Sequence, residues 1–301
     1  MNRSFLLATL ASTSLLLAGL PSFGYEAGGG DASNNGAVAI GDDSEADGDA
    51  VAIGEESKAN DDAVAIGKES NAKEDNAVAI GLEALADGED AISLGASSKV
   101  VGKKSIAVGE DALTKGENSL AFGEDATACG KQSVSIGSDA LSAPGVISAN
   151  NCEGFDSTNS QATALGADAK ALSAKATAVG EQAKAYGKES TSVGSKAKAD
   201  GEKSIAIGGE SEASGENSTA LGHKASAQHQ DSTAVGVNSS TTRVDQIVLG
   251  SSTTELTISN LAETGSALTY VEDDGTLRRS SVTNDLLEGF DERINSINIS
   301  D

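Results

Sequence analysis

The chain has 301 residues, a formal net charge of −25 at pH 7, only 3% aromatic residues and no Trp. Such acidity disfavours nucleic acid and anionic membranes as direct partners, because their phosphates would be repelled. The scarcity of large aromatic side chains excludes a thick hydrophobic core and leaves a thin one built from small aliphatic residues.

Residues 1–24 have the features of a secretory signal peptide. Arg3 supplies the charged start, residues 5–20 form the apolar stretch, and Ser22-Phe23-Gly24 is a small-x-small cleavage site. An uncleaved membrane anchor is the alternative, but this stretch contains Ser and Thr and is short for a membrane span. We therefore expect the mature chain to be exported.

Residues 25–250 are dominated by an internal repeat in which a glycine follows a short aliphatic run. Fifteen such glycines occur, and from Gly81 onward they are 14 residues apart, except for one widened interval. The residue before each glycine is Ile, Leu, Val or Phe, and the residue two before is Ala or Ser in fourteen copies. A short fixed period of this kind predicts stacked structural units.

The pattern within each repeat predicts two strands and two turns. Large and small residues alternate before the glycine, and Ser or Ala alternates with polar residues after it, so each segment has two different faces. We expect two five-residue strands per coil, and hence an all-β parallel solenoid. A tight corner whose backbone angles require glycine is expected at the marked positions, among them Gly41, Gly81, Gly109, Gly123, Gly180, Gly208, Gly222 and Gly250. The same role is expected of the glycines that often mark a second turn seven residues later, such as Gly88 and Gly102.

The size of the side chains leads to a prediction of which face points inward. We expect the large aliphatic residues, and the Thr residues that replace them three positions before some glycines, to fill the interior. The stripe of Ala and Ser two residues before each glycine would then face outward. Small residues let another backbone approach closely, so we expect this stripe to pack against sister chains, in a number that the repeat does not fix.

Four units carry a family resemblance. The segments 76–81, 104–109, 118–123 and 203–208 read NAVAIG, KSIAVG, NSLAFG and KSIAIG, each with Ala or Ser three residues later. They resemble the head repeats of YadA-like trimeric autotransporter adhesins, and the similarity extends over about residues 31–250. This resemblance implies a homotrimer of left-handed parallel β-rolls on the exterior of the Gram-negative outer membrane, where it attaches to host matrix proteins or to cells.

The function implied by the resemblance is virulence-related cell adhesion, without enzyme activity or a cofactor. No catalytic residue belongs to the repeat pattern. Two alternatives remain open: a structural fibre or spacer without its own ligand, and an ice- or mineral-binding solenoid. The second alternative would require a flat outward array of Thr residues.

The widened interval contains an insertion at a turn, which we place at residues 145–158. A long loop on a rigid scaffold is a common location for recognition residues, so Glu153, Phe155 and Asp156 are the candidate ligand contacts. An insertion without a partner is the alternative.

Two cysteines are associated with this insertion. Cys129 occupies a repeat position that is otherwise mostly polar, so we expect it to be exposed, and its counterpart one coil later, Ala143, adjoins the base of the insertion. A folded-back loop could bring Cys152 within bonding range. We therefore predict a disulfide between Cys129 and Cys152, as is typical of exported proteins; free thiols or a bond between chains are the alternatives.

The last fifty residues have a different pattern. The segment 242–250 and the stretch to Ser281 resemble the neck and connector segments that follow such heads, so we assign residues 251–282 to a neck. Within 283–301, the heptad spacing of four apolar residues predicts the start of a coiled coil, although a docked terminal helix is an alternative. The seam residues are Leu287, Phe290, Ile294 and Ile297.

Members of the resembled family end in a membrane-anchoring β-barrel, and no such pattern follows the heptads. We therefore expect no direct membrane insertion by this chain. Metal binding is also not expected: a calcium loop of the EF-hand type starting at Asp43 would need Glu at its twelfth place, where Gly54 stands. The two histidines, His223 and His229, lie in polar turns and offer no base in a shaped pocket.

Overall fold

A computed structural model describes residues 25–33, 36–144, 152 and 161–254, and the backbone of 267–271 and 277–283. The chain divides into two compact units, residues 1–251 and 252–301. The first unit is an all-β parallel solenoid, as the repeat predicts. The predicted signal peptide and the predicted coiled-coil seam lie outside the described residues.

The aliphatic segment before each marked glycine forms one strand of a 16-stranded parallel sheet, which we call the first sheet. Equivalent residues of successive coils pair in register, for example Ala79 with Ser93 and Ser93 with Ala107. Its strands are Tyr25–Ala27, Val38–Ile40, Val51–Ile53, Val64–Ile66, Val78–Ile80, Ile92–Leu94, Ile106–Val108, Leu120–Phe122, Val134–Ile136, Thr163–Leu165, Thr177–Val179, Thr191–Val193, Ile205–Ile207, Thr219–Leu221, Thr233–Val235 and Ile247–Leu249.

The segment after each glycine forms the second sheet, which has 14 parallel strands. The strands of both sheets are shorter than the predicted five residues, because the turns on either side take up the remainder of each coil. The second-sheet strands are Asp31–Ala32, Glu45–Ala46, Lys58–Ala59, Asn71–Ala72, Leu85–Ala86, Lys99–Val100, Leu113–Thr114, Thr127–Ala128, Leu141–Ser142, Lys170–Ala171, Lys184–Ala185, Lys198–Ala199, Glu212–Ala213 and Ser226–Ala227.

The marked glycines form the corner between the two sheets. All of them from Gly41 to Gly236 have φ between 119° and 141°, and Gly250 has φ 85°. A side chain at Gly54, with φ 136°, would place its Cβ only 2.5 Å from the carbonyl oxygen of Gly67 in the next coil. The corner is closed by Ser57, whose hydroxyl donates a hydrogen bond of 2.9 Å to the Gly54 carbonyl oxygen.

The glycines of the second turn have a different role from the predicted one. Gly88 and Gly102 do not have positive φ; the left-handed conformation of this turn belongs to Asp90 and Lys104, both with φ 55°. Glycine is needed because the coils approach closely: a Cβ at Gly88 would lie 2.7 Å from the Gly102 carbonyl oxygen. The expectation that this second glycine supplies an unusual backbone angle was therefore wrong for these positions.

The prediction of the inward face was also wrong. The Ala and Ser stripe fills the interior, where Ala39, Ala52 and Ser93 are 0% exposed. The aliphatic residues on either side of it, such as Val38 and Ile40, point outward and are half-buried. Strands of three and two residues bring the two sheets so close that mostly Ala and Ser side chains lie between them, with Val100 and Thr114 among the largest that are fully buried. The Ala and Ser stripe therefore cannot pack against sister chains.

The second unit contains an antiparallel hairpin, formed by Ala267–Val271 and Leu277–Thr283. Val271 pairs with Leu277 and Tyr270 with Arg278, and the register shifts between Ala267 and Thr269.

Within the part of the chain that the structure describes, no helix has the length and apolarity needed to cross a membrane.

Adjacent glycines allow a matched test of the corner. Gly208 has φ 132° and its added Cβ would lie 2.5 Å from the carbonyl carbon of Gly222, whereas a Cβ at Gly209 would lie 3.8 Å from its nearest neighbour, the Ser195 carbonyl oxygen. We expect Gly208→Ala to lower the free energy of unfolding by about 1–3 kcal/mol and Gly209→Ala to leave it unchanged or slightly raised. Urea denaturation of the two variants measures this difference, and equal losses would contradict it.

Candidate interaction surface

The described residues contain no group of three or more His, Cys, Asp or Glu side chains placed to hold a metal ion. His229 lies in a turn with its Nδ1 3.4 Å from the Thr241 hydroxyl. Since the interior is filled with small residues, the chemistry of the head lies on its outward faces. Three regions differ: the outward face of the first sheet, the outward face of the second sheet, and the surface beside the insertion.

The outward face of the first sheet is apolar. Large side chains repeat along it at the two positions that flank the inward stripe, and Phe122 (53% exposed), Leu221 (44%) and Ile207 (38%) are among its most exposed members. Contiguous apolar surface of this kind marks an interaction site on a soluble protein. This outward face is therefore a candidate interaction surface.

The Thr residues of the repeat belong to this same outward face. Thr163, Thr177 and Thr191 pair in register in three successive coils and are half-buried. The expectation that they lie inside was wrong, because the next residue of each strand, such as Ala164 (0% exposed), is the one that points inward. An outward Thr column is therefore present, although Val and Leu share the face with it.

The outward face of the second sheet and its turns are charged. Lysine and carboxylate side chains commonly pair across one coil, as in Lys58 with Glu45 (3.0 Å) and Lys131 with Glu117 (2.8 Å). The hydrogen bond and the charge of Lys131 hold the pKa of the Glu117 carboxyl below its ordinary value. Pairs this exposed contribute little stability, so their main effect is to balance charge locally along the stack.

A groove with a volume of about 610 Å³ runs along this face over five coils. Asp111, Asp125, Asp139 and Asp168 line it, each two residues after a marked glycine, and all four have φ between 54° and 56°. The neighbouring strand residues add Leu113, Thr127 and Leu141, and the lining is completed by Ser97, Lys99 and Lys170. The sequence analysis missed this groove, although the same repeat position is Asp in four successive coils and could have indicated it.

The two cysteines form a disulfide, with their Cα atoms 5.5 Å apart. Cys129 is 0% exposed and packs with Leu141, Ala143 and Cys152 in a small apolar cluster. The expectation that Cys129 is exposed was wrong, because this cluster covers it on the outward side of the second sheet. The disulfide therefore attaches the insertion, at Cys152, to the groove-bearing face.

The candidate contact residues Glu153, Phe155 and Asp156 lie outside the described residues. The same holds for the seam residues Leu287, Phe290, Ile294 and Ile297, whereas the segment predicted to be a neck, 251–282, overlaps the hairpin described above. Of the candidate site residues, the structure brings together the two cysteines and arranges the marked glycines in one column along the corner.

Comparisons with known proteins show what the repeat is similar to. A family model described as the YadA head domain repeat matches residues 32–54, 60–84, 86–112, 115–140, 157–183, 173–195, 185–211 and 213–239. A solved structure, the collagen-binding domain of the Yersinia adhesin YadA, is 21% identical, with 73% of this chain and 86% of that chain covered and a TM-score of 0.25. At that TM-score the similarity supports no structural argument. A comparison with curated proteins gives no match.

The disulfide should stabilise the coils beside the insertion. It closes a loop with a sequence separation of 23 residues, for which the chain-entropy estimate is about 3 kcal/mol. We expect Cys129→Ser and Cys152→Ser each to lower the free energy of unfolding by about 2–4 kcal/mol, and the double variant to resemble the singles. Urea denaturation with and without a reductant measures this; a wild-type midpoint that does not respond to the reductant would contradict it.

Proposed function

Because this chain belongs to the family of proteins built from YadA head-domain repeats, we propose that it is the head of an exported homotrimeric adhesin. Its role is multivalent attachment to extracellular matrix or to cell surfaces. The proposal places the head at the cell surface, with residues 1–24 as a cleaved signal peptide, 251–282 as the neck and 283–301 as the start of a coiled coil. No enzyme activity and no cofactor are part of it.

The observation that supports a multichain head is the apolar outward face of the first sheet. Ile205, Ile207 and Leu221 are 37%, 38% and 44% exposed in the single chain, and burying such side chains provides about 25 cal/mol for each Å² of apolar surface. Three chains placed around one axis would bury all three copies of the face. The surface that faces the sister chains is therefore the aliphatic one.

The observation that supports adhesion is the family membership together with a long, regular outer surface. The similar solved domain is named as collagen-binding, and we extend that ligand class, a fibrous matrix protein, to this chain. Three copies of each outer face on one axis allow weak contacts to add up. Glu153, Phe155 and Asp156 remain our candidate contact residues in the insertion.

Two alternative functions can be distinguished from adhesion by the oligomeric state of the chain and by whether it binds a ligand. A spacer without its own ligand has the same trimer but binds nothing. An ice- or mineral-binding solenoid gains support from the outward column of Thr163, Thr177 and Thr191, but such a ligand could reach this face only if no sister chain covers it. A stable monomer would therefore favour the ice or mineral binder.

The assembly is tested by sedimentation equilibrium of the chain, with and without residues 283–301. We expect a trimer in both cases, because the aliphatic face is part of the head. Ile207→Glu should shift the equilibrium toward monomers, since a carboxylate would have to be buried in the apolar interface. Ser226→Glu, on the outward face of the second sheet, is the matched control and should leave the mass unchanged; a monomeric wild type would refute the trimer.

Adhesion is tested by measuring saturable binding of the chain to immobilised collagen, with albumin as the reference surface. We expect binding to collagen that weakens when Glu153, Phe155 and Asp156 are replaced together by Ala. Replacing Glu216 by Ala, in an exposed turn of a coil without an insertion, is the matched control and should have no effect. Binding no stronger than to albumin would favour the spacer.

A further inference from the structure

Three lysines stand in one row on the outward face of the second sheet. Lys170, Lys184 and Lys198 occupy the same position in three successive coils, and their strands pair in register. Neighbouring parallel strands lie about 4.8 Å apart, so the row is a straight line of ammonium-bearing side chains along the stacking direction. All three residues are half-buried.

This row departs from the charge pattern of the rest of the head. At the same strand position, Lys58 faces Glu45 of the neighbouring coil and forms a 3.0 Å ion pair with it. In the row, by contrast, Lys184 has lysine on both sides. Like charges directly opposite each other on a sheet are destabilising. In a chain with 46 acidic and 21 basic residues, this row is thus a place where like positive charges stand side by side.

The ammonium groups of the row differ in whether a carboxylate of this chain already pairs with them. Lys198 is paired with Asp200 (2.6 Å) and Glu212 (3.5 Å), and Asp168 lies two residues before Lys170. Among the described residues, neither Lys170 nor Lys184 forms an ion pair. The neighbours of Lys184 along its strand direction are the uncharged Gln182 and Tyr186, and the next coil adds Lys196.

We propose that the row of Lys170, Lys184 and Lys198 binds a linear sulfated polysaccharide laid along the stacking direction. A flexible chain with closely spaced sulfate groups can place successive anions against successive ammonium groups. Tyr186, two residues after Lys184 on the same strand direction, adds a hydroxyl that can donate a hydrogen bond. Double-stranded nucleic acid carries a comparable charge density, but its width would bring it against the acidic remainder of a surface with net charge −25.

This proposal uses residues other than the candidate collagen contacts and does not depend on collagen binding. Its physical signature is an optimum in ionic strength. At about 0.01 M salt the Debye length is about 30 Å, so the whole acidic body repels a polyanion; at about 0.15 M it is about 8 Å, and the lysine row dominates locally. At about 1 M it falls to about 3 Å and the row itself is screened.

The test measures binding of heparin, as the probe, to the full chain by titration calorimetry at these three salt concentrations. We expect the tightest binding at the middle concentration. Replacing both Lys170 and Lys184 by Gln should weaken it about tenfold or more. Lys58→Gln is the matched control, because Lys58 occupies the same strand position but is paired with Glu45, and it should change the affinity less than about twofold.

A charge reversal separates a binding role from a structural one. Lys184→Glu would place a carboxylate between Lys170 and Lys198, so we expect a higher melting temperature together with the loss of heparin binding, whereas Lys184→Arg should keep both close to wild type. Heparin affinity that is unaffected by Lys184→Glu would overturn the proposal. Equal affinity for polyglutamate would overturn it in favour of an acidic peptide. Collagen binding of the same variants should stay unchanged, so the two proposals fail independently.

Discussion

The narrow interior of the coil is the constraint from which the other features follow. Strands of three and two residues joined by tight turns leave room between the two sheets mainly for small side chains such as Ala52 and Ser93, which are 0% exposed. Interiors are close-packed, so a row of large side chains there would force a backbone shift. The hydroxyls that this core contains are mostly satisfied at short range: Ser93 and Ser98, for example, lie 2.7 Å apart across it.

A core of this kind provides little stability in a single chain. Alanine buries little apolar surface, and the gain per buried methylene is about 0.8 kcal/mol. The backbone hydrogen bonds between coils hold the register, but the large side chains of the repeat are left on the outside. This explains why an apolar face and a small-residue core occur together, and why we propose that sister chains cover that face. Assembly would complete a core that one chain can form only in part.

Much of the fold could be predicted from the sequence. The 14-residue period specified the stacking, the two sheets and the corner column that includes Gly54. The sequence could not show which face of each strand points into the interior. Alternation shows only that the two faces differ, and the distance between the sheets decides which of them fits inside. The burial of Cys129 was missed for a related reason, since it depends on Leu141 and Cys152, which reach it from another coil and from the insertion.

Because the coils stack in register, the residues at one repeat position form a column along the head. The residue type at that position therefore determines the chemistry of a continuous strip of surface. The Asp residues two after the glycines become one side of a groove, and the Lys residues of three later coils become a row of positive charge. In the first sheet the same rule produces an apolar column. Neighbouring columns share the backbone but differ in chemistry, so a ligand or a sister chain can use one without disturbing another. A change at Lys184 is therefore expected to alter one row while the apolar face, on the other sheet, stays as it is.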